Sequence, residues 1–580
     1  MAKLLMTVML LTQTLPAGYW PLEKSQPIID KTQTIALSPD ISKLTDGEKK
    51  AVAKLIEVGR IFQKLYEEQR HPEALSSFRA LEQLDKSTGS KPATQNLLTL
   101  YRLFQGPIAT TLDNKREQFL PVEPTKPGKN VYPWGITKEA IDQKRAFMPE
   151  LLDLRTVVRS QVNLKSDIDA LKKYPVLQTL HPKLMIQLAG VRTGVDFLYA
   201  VPYSVAYADD LMKAYGLLNE AADAVEKDDW EFARFLRNRA RDLLTNDYES
   251  GDASWVTGRF KNLNAQIGSY ETYDDELFGV KTFFSFCLLQ SRQQETAALR
   301  QAMKGIQALE DSLPYQHHKK VKEDIPVGVY DVVADFGQSR GGNTATILPN
   351  ESYLGRRYGR TILLRANIMR DTSIFEGTSS TFAAAVGEQQ AKALTPDGNF
   401  YRTLWHEVGH YLGVDKTGDG RELDEALQDN ANTMEEMKAD LVSLFVAQAL
   451  HKQGYYTDAQ FRSVYAGGIL RVLQNNRPRR DQPYQTMQLM QWNFYLENGL
   501  LSFDPATKTL RINYDKYHEV VGKMLERVLA VQYAGNKAES DKFIDQYTKW
   551  DENLHAAIAA NIRAQQRYRF RVFKYAALEE

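Results

Sequence analysis

Apolar residues recur every three or four positions along most of this chain, with one interval of different texture. From Glu48 to Gln69, Leu55, Val58, Phe62 and Leu65 share a stripe between charged residues, which predicts a helix with one buried face. The same amphipathic pattern runs from Lys138 to Asn163 and from Ala206 to Leu244. Between about Trp255 and Arg370, β-branched and aromatic runs such as Val327-Gly-Val-Tyr-Asp-Val-Val and Thr361-Ile-Leu-Leu-Arg predict a small sheet. Gln118 to Trp134, with four prolines and one glycine, is a loop, and Gly337 to Thr344 is a hairpin or surface loop without the Gly-Lys-Ser/Thr ending of a phosphate loop. After Arg370 the helical period returns. The expected fold class is mainly α with a small β-core, α+β, in two lobes.

Composition narrows the function. Lys+Arg and Asp+Glu are both 73 in 580 residues, so nothing global favours nucleic acid or an anionic membrane. A single cysteine, Cys287, excludes an intramolecular disulfide, and its apolar neighbours mark a buried thiol. Residues 1–17 resemble a short signal peptide, with Lys3 before the apolar run Leu4 to Leu11 and a cut after Ala17, which implies a periplasmic or secreted protein if the segment is used and a cytoplasmic one if not. Residues 18–46 read as a linker, and no later segment has 18 consecutive apolar residues.

One stretch carries chemistry: Trp405-His406-Glu407-Val408-Gly409-His410-Tyr411-Leu412-Gly413. On a helix His406 and His410 stand one turn apart, so both imidazoles reach one Zn²⁺ with Glu407 beside it as a base. Leu404, Val408 and Leu412 give that helix an apolar face, and Gly413 follows as a stop. Gly409 inside it costs on the order of 1 kcal/mol. A catalytic zinc wants a third protein ligand. In Glu435-Glu436-Met-Lys-Ala-Asp440, Glu436 and Asp440 are again one turn apart, so Glu436 can bind the metal while Asp440 accepts the outer N–H of a histidine; Glu435 has Ala439 where that partner would stand. The competing account is a capping box, Thr433-x-x-Glu436, and Glu422, Asp424 and Glu425 are weaker candidates. Asp415-Lys-Thr-Gly-Asp-Gly420 opens like a calcium loop but has Ala426 at its twelfth position, and reads as a turn.

With both halves in view, the chain resembles the dipeptidyl-peptidase III family of zinc exopeptidases, which pairs a histidine-glutamate helix with a Glu-Glu-x-x-Ala-acid helix. The five-residue His406-Glu-Val-Gly-His410 form is similar to the bacterial and plant branch, some of it attached to Nudix domains; no Nudix motif is visible here. The likeness spans roughly residues 38 to 545 loosely. It implies that Tyr270-Glu271-Thr-Tyr273 corresponds to the segment whose glutamate holds a peptide amino terminus and whose tyrosine assists at the scissile carbonyl, and that Asn350 of Ile347-Leu-Pro-Asn350 contacts the same end, with Ile347 where the family has asparagine. It also implies Glu435 and Asp440 as orienting acids, one Zn²⁺ per chain, small peptides as substrates, and a wide cleft between lobes.

The lobes expected are a mixed lobe over 47–372, a helical zinc-binding lobe over 373–545, and a C-terminal helical segment, 546–580, packing back on the mixed lobe. Where the branch carries a histidine-glycine segment, this chain has Tyr484-Gln-Thr-Met ahead of Gln491-Trp-Asn493. That departure motivates a second reading, a zinc-stabilised peptide-binding or structural protein with little or no turnover.

Overall fold

The computed structural model describes residues 15–190, 197–322 and 325–580. The signal-like run Leu4 to Leu11 lies outside the described residues. The amphipathic stripe after Glu48 becomes the helix Asp46–Arg70, which starts with a capping box: the Thr45 hydroxyl accepts from the Glu48 N–H and the Glu48 carboxylate accepts from the Thr45 N–H. Residues 206–244 form two helices, Ala208–Val225 and Trp230–Thr245, because Asp229 interrupts the stripe and caps the second helix through the Phe232 N–H. The stripe from Lys138 breaks sooner. Its helix ends at Arg145, Met148 before Pro149 takes φ −137° and ψ 67°, and Thr156–Ser160 is a strand antiparallel to Leu198–Pro202.

The β-textured interval folds as a five-stranded sheet. In spatial order the strands are Leu263–Ser269, Phe284–Ser291, Val327–Gly337, Thr361–Arg365 and Ala345–Leu348; only the 327–337 and 361–365 pair is parallel. Residues 338–344 are a connecting loop and not a hairpin turn, since the strands on either side of it are not neighbours. Buried Cys287 faces Asp335 and Arg365 in this sheet, and burial pushes its thiol pKa up.

Two large cores meet on that sheet. Leu363 packs into one, with Phe62, Phe284 and Phe336, whereas its neighbours Ile362 and Leu364 pack into the other, with Leu404, Trp405 and Val408. Alternation along a strand sends successive side chains to opposite faces, so the strand is a wall shared by both cores.

This arrangement corrects three expected boundaries. Residues 18–46 hold a helix, Leu22–Asp30, and a strand, Thr32–Leu37, which pairs in parallel with Phe570–Tyr575; alternate burial of Ile35 and Leu37 gave too short a periodic signal to separate it from a linker. Within 47–372, Leu299, Met303, Ile306 and Leu309 belong to the core of the histidine helix. In the C-terminal segment, Ile558 and Ile562 also join that core, and the 570–575 strand is what returns to the N-terminal strand. No helix among the described residues is long and apolar enough to cross a membrane.

Candidate metal centre

The histidine helix runs Pro396–Gly409, with Pro396 in the first turn where no N–H is needed. Phe400, Leu404, Trp405 and Val408 are buried on its core side, each aliphatic burial contributing about 1.5–3 kcal/mol. His410 sits at the helix end but keeps helical angles, φ −64° and ψ −23°, so its ring still follows His406 by one turn, with ring centroids 4.9 Å apart. Gly413, at φ +76°, then reverses the chain.

The second helix, Ala431–Phe445, begins two residues before Thr433, so Thr433 and Glu436 are inside it and form no capping box. Gly409 explains itself here. A Cβ at that position would lie 2.8 Å from the carbonyl oxygen of Ala439, so a glycine facing a small residue lets the two helices touch backbone to backbone. That approach brings Glu436 to the histidines: its Oε2 is 3.2 Å from His406 Nε2 and 3.9 Å from His410 Nε2.

Each imidazole uses its other nitrogen on an acid. His406 Nδ1 is 2.7 Å from Asp440 Oδ1, and His410 Nδ1 is 2.9 Å from Glu435 Oε1. Both Nε2 atoms are thereby turned to one point. Asp440 is held in turn by Arg402 Nη1 at 2.8 Å and Arg471 Nε at 3.3 Å, and Glu435 by buried Lys438 at 2.8 Å and Gln532 at 3.2 Å. Burial would lift the Asp440 carboxyl, but His406, Arg471 and Arg402 hold it well below the usual carboxylate range. Burial likewise opposes the charge on Glu435, yet Lys438 and His410 bring it down to about 2. For His406 burial lowers the imidazole and the Asp440 carboxylate more than reverses this, raising it to about 9. Glu407 is half-buried and has no hydrogen bond or ion pair among the described residues.

These residues fit a zinc ion. Two donors about 2.0–2.1 Å from one tetrahedral Zn²⁺ lie about 3.3 Å apart. The His406–Glu436 separation matches that figure, and Glu436 Oε2 is buried with no hydrogen-bond donor. His406, His410 and Glu436 are the one set of three potential ligands that converges among the described residues. The calcium-like stretch is a turn whose acids are otherwise engaged, Asp415 with Lys319 and Asp419 with Arg421.

Residues 388–479, which contain the histidines, Glu435, Glu436, Asp440 and Arg471, match the family model MPTase-PolyVal, a zincin-like metallopeptidase. The structure of dipeptidyl-peptidase III from Caldithrix abyssi aligns with a TM-score of 0.80 at 22% identity, over 96% of this chain and 99% of that one. Dipeptidyl-peptidase III from Corallococcus sp. strain EGB aligns at 0.70 and 22%, over 97% and 98%. The chain has the dipeptidyl-peptidase III fold. A curated relative, Nudix hydrolase 3 of Arabidopsis thaliana, is 26% identical over 358 residues, 60% of this chain and 46% of that protein, so the chain spans about half its length.

Within the dipeptidyl-peptidase III fold, the residues that the resemblance links to a peptide follow the ends of sheet strands. Glu271 and Tyr273 follow the 263–269 strand; burial, and the charge of the Glu271 carboxylate, push the Tyr273 phenol up to about 12. Asn350 follows the edge strand and donates to the Tyr270 carbonyl at 3.5 Å, which joins the two segments. Ile347 on that strand packs against the core of the histidine helix, and this is where the sheet meets the metal side. The loop around Glu271 is firmly built: Asp275 accepts the N–H groups of Leu277, Phe278, Val280 and Lys281, and Arg155 ties the Ser269 carbonyl to Glu351. Tyr273 itself is 78% exposed and has no contact with the metal ligands among the described residues.

Arg402, Arg471, Lys438 and Gln532 were not singled out for the site from sequence. Arg402 stands four residues before His406 and Lys438 three after Glu435, so helical spacing could have flagged both. Arg471 and Gln532 come from other helices and carry no local signal.

Proposed function

We propose that the chain is a zinc-dependent peptide hydrolase that removes dipeptides or short fragments from the free N-terminus of small peptides. The observation that carries this reading is the convergence of His406, His410 and Glu436, each histidine braced by its own acid, beside the unpartnered carboxylate of Glu407. When bound, Zn²⁺ supplies Lewis acidity toward a water molecule and a peptide carbonyl. Glu407 takes a proton from the attacking water, oxygen adds to the carbonyl carbon, and the same proton goes to the leaving amine as the C–N bond breaks. Glu271 offers a carboxylate to the peptide's ammonium group, and Asn350 beside it offers an amide to the first peptide unit, which would restrict cleavage to a fixed distance from the amino end. Asp440 and Glu435 accept the N–H at Nδ1 of each imidazole and fix its rotation, so that Nε2 faces the metal position.

Incubation with a defined peptide library followed by mass spectrometry tests the proposal. New N-termini two residues, or a few, into each peptide are expected. Glu407→Ala should keep its zinc and lose at least about 10²-fold in rate. A variant that cleaves as well as the parent would sink the mechanism.

A further inference from the structure

The two histidines are held by different means. His406 lies in the body of the helix Pro396–Gly409, whereas His410 is the residue just past its end, so the helix alone does not fix it. Its backbone depends on the turn that follows, in which the Tyr411 N–H donates to the Val408 carbonyl at 2.9 Å and the Leu412 N–H to the Gly409 carbonyl at 3.1 Å. The next N–H, that of Gly413, points out of the turn. It donates at 2.7 Å to Oε2 of Glu310, a residue 103 positions earlier in the chain.

Glu310 belongs to the helix Ile306–Asp311, and its side chain is wholly buried. A buried carboxylate is costly unless its oxygens are bonded, and this one divides them between two tasks. Oε2 takes the Gly413 N–H. Oε1 takes the Tyr315 hydroxyl and, at 3.4 Å, the Lys319 N–H, with His318 Nδ1 at 3.8 Å. The segment holding those partners is itself fastened to the loop beyond the turn: Lys319 Nζ is 3.2 Å from Asp415, and the His317 ring stacks on Tyr533, whose carbonyl accepts the Gly418 N–H at 2.7 Å. On its other side Gly413 has no slack, since a Cβ there would lie 2.9 Å from Leu529 Cδ2 and 3.1 Å from Lys438 Cδ. Lys438 in turn bonds Glu435, the acid that bonds His410 Nδ1. The turn is thus gripped between Glu310 and the lysine that serves the acid of His410.

We propose that Glu310 is a positioning residue for the metal centre: its Oε2 pins the Gly413 turn and thereby holds His410 Nε2 toward the point that His406 and Glu436 share. It touches neither metal nor peptide. The proposal rests on the zinc-binding part of the functional reading and goes beyond it by naming what fixes the ligand that the helix leaves loose.

Zinc affinity by chelator competition and the unfolding midpoint in denaturant, both read on the full chain, test it. Glu310→Met keeps the length of the side chain and leaves the Gly413 N–H buried and unpaired, so zinc affinity should fall about tenfold, the low end for groups that orient ligands. Glu310→Gln keeps an oxygen for Gly413 and should bind zinc within about threefold of the parent. Tyr315→Phe disturbs only the Oε1 side, and should lower the midpoint with zinc affinity again within about threefold of the parent. Glu310→Asp, still charged but shorter by a methylene, should also lose about tenfold, and it decides the matter if the methionine protein fails to fold. A carboxylate that serves stability alone would lower the midpoints and leave zinc affinity parental in every folded variant, which overturns the proposal. Equal loss of zinc in the Glu310→Gln or Tyr315→Phe protein overturns it too, because the Gly413 bond would not be what matters. A parent that binds no zinc overturns the metal reading itself, and the proposal with it.

Discussion

Gly409→Ala puts the helix contact under direct test. The new Cβ would lie 2.8 Å from the Ala439 carbonyl oxygen and 3.1 Å from the Ala439 Cα. These are backbone atoms of a buried helix, so relief requires the two helices to part by roughly half an ångström, and overpacking of this kind costs about 1–3 kcal/mol. Alanine returns at most about 1 kcal/mol of helix propensity, less at the last residue of a helix. The expected net is a destabilisation of about 1–2 kcal/mol. The functional effect should be larger. Parting the helices moves Glu436 away from both histidines, and a metal constellation tolerates only about 0.5 Å of displacement, so zinc affinity should drop about 10- to 100-fold. Gly377 is the internal control: it lies within the helix Thr372–Val386 with nothing within 4 Å of its added Cβ, and Gly377→Ala should stabilise by about 0.5–1 kcal/mol. Denaturant melts and chelator competition on both variants decide the matter. A Gly409→Ala protein as stable as the Gly377→Ala one, with parental zinc affinity, would refute the backbone contact.

Two further outcomes follow from the polar network. Asp440→Asn should weaken zinc about 10- to 100-fold in chelator competition, because His406 loses its anionic partner, and should cost about 3 kcal/mol in unfolding, because Arg402 and Arg471 lose their shared carboxylate; parental values of both would show that the acid is dispensable. Lys281 gives a pH test: burial pushes its ammonium from 10.5 down to about 7 against the opposing pull of Asp153 and Asp275, while its Nζ donates to the Asp153 carbonyl and to Thr156. Between pH 7 and 10.5 the unfolded chain holds a proton that the folded one has released, so this group adds stability as pH rises through that window and imposes its full penalty below pH 7. From pH 7 to 9 the stability of the parent should therefore rise relative to Lys281→Met by up to about 2.5 kcal/mol in denaturant midpoints; parallel pH curves would contradict the depressed amine.

What could be read in the sequence was what one helix turn encodes. His406 with His410, and Glu436 with Asp440, are neighbours four residues apart, so their faces follow from local geometry alone. The rest of the centre depends on packing. Arg471 reaches Asp440 from a third helix, and Gln532 reaches Glu435 from a fourth, through contacts that periodicity does not carry. Glycine shows the same limit from the other side. At Gly409 local propensity registers a cost, and only the neighbouring Ala439 reveals the reason. Lobe boundaries failed for a related cause: a helical stripe such as that of Leu299 and Met303 announces that it will be buried, not which core will bury it.

The shared strand Thr361–Arg365 bears on how this molecule can be taken apart. Ile362 and Leu364 plug one core while Leu363, between them, plugs the other, and the 293–311 helices cross to the metal side before the sheet is complete. No single cut of the polypeptide yields a self-sufficient half. A fragment starting near residue 373 would carry His406, His410 and Glu436 yet leave the surface against Leu299, Met303 and Ile362 bare, and its mate would lack a face for half its sheet. The metal centre is compact in sequence and belongs, mechanically, to the whole chain.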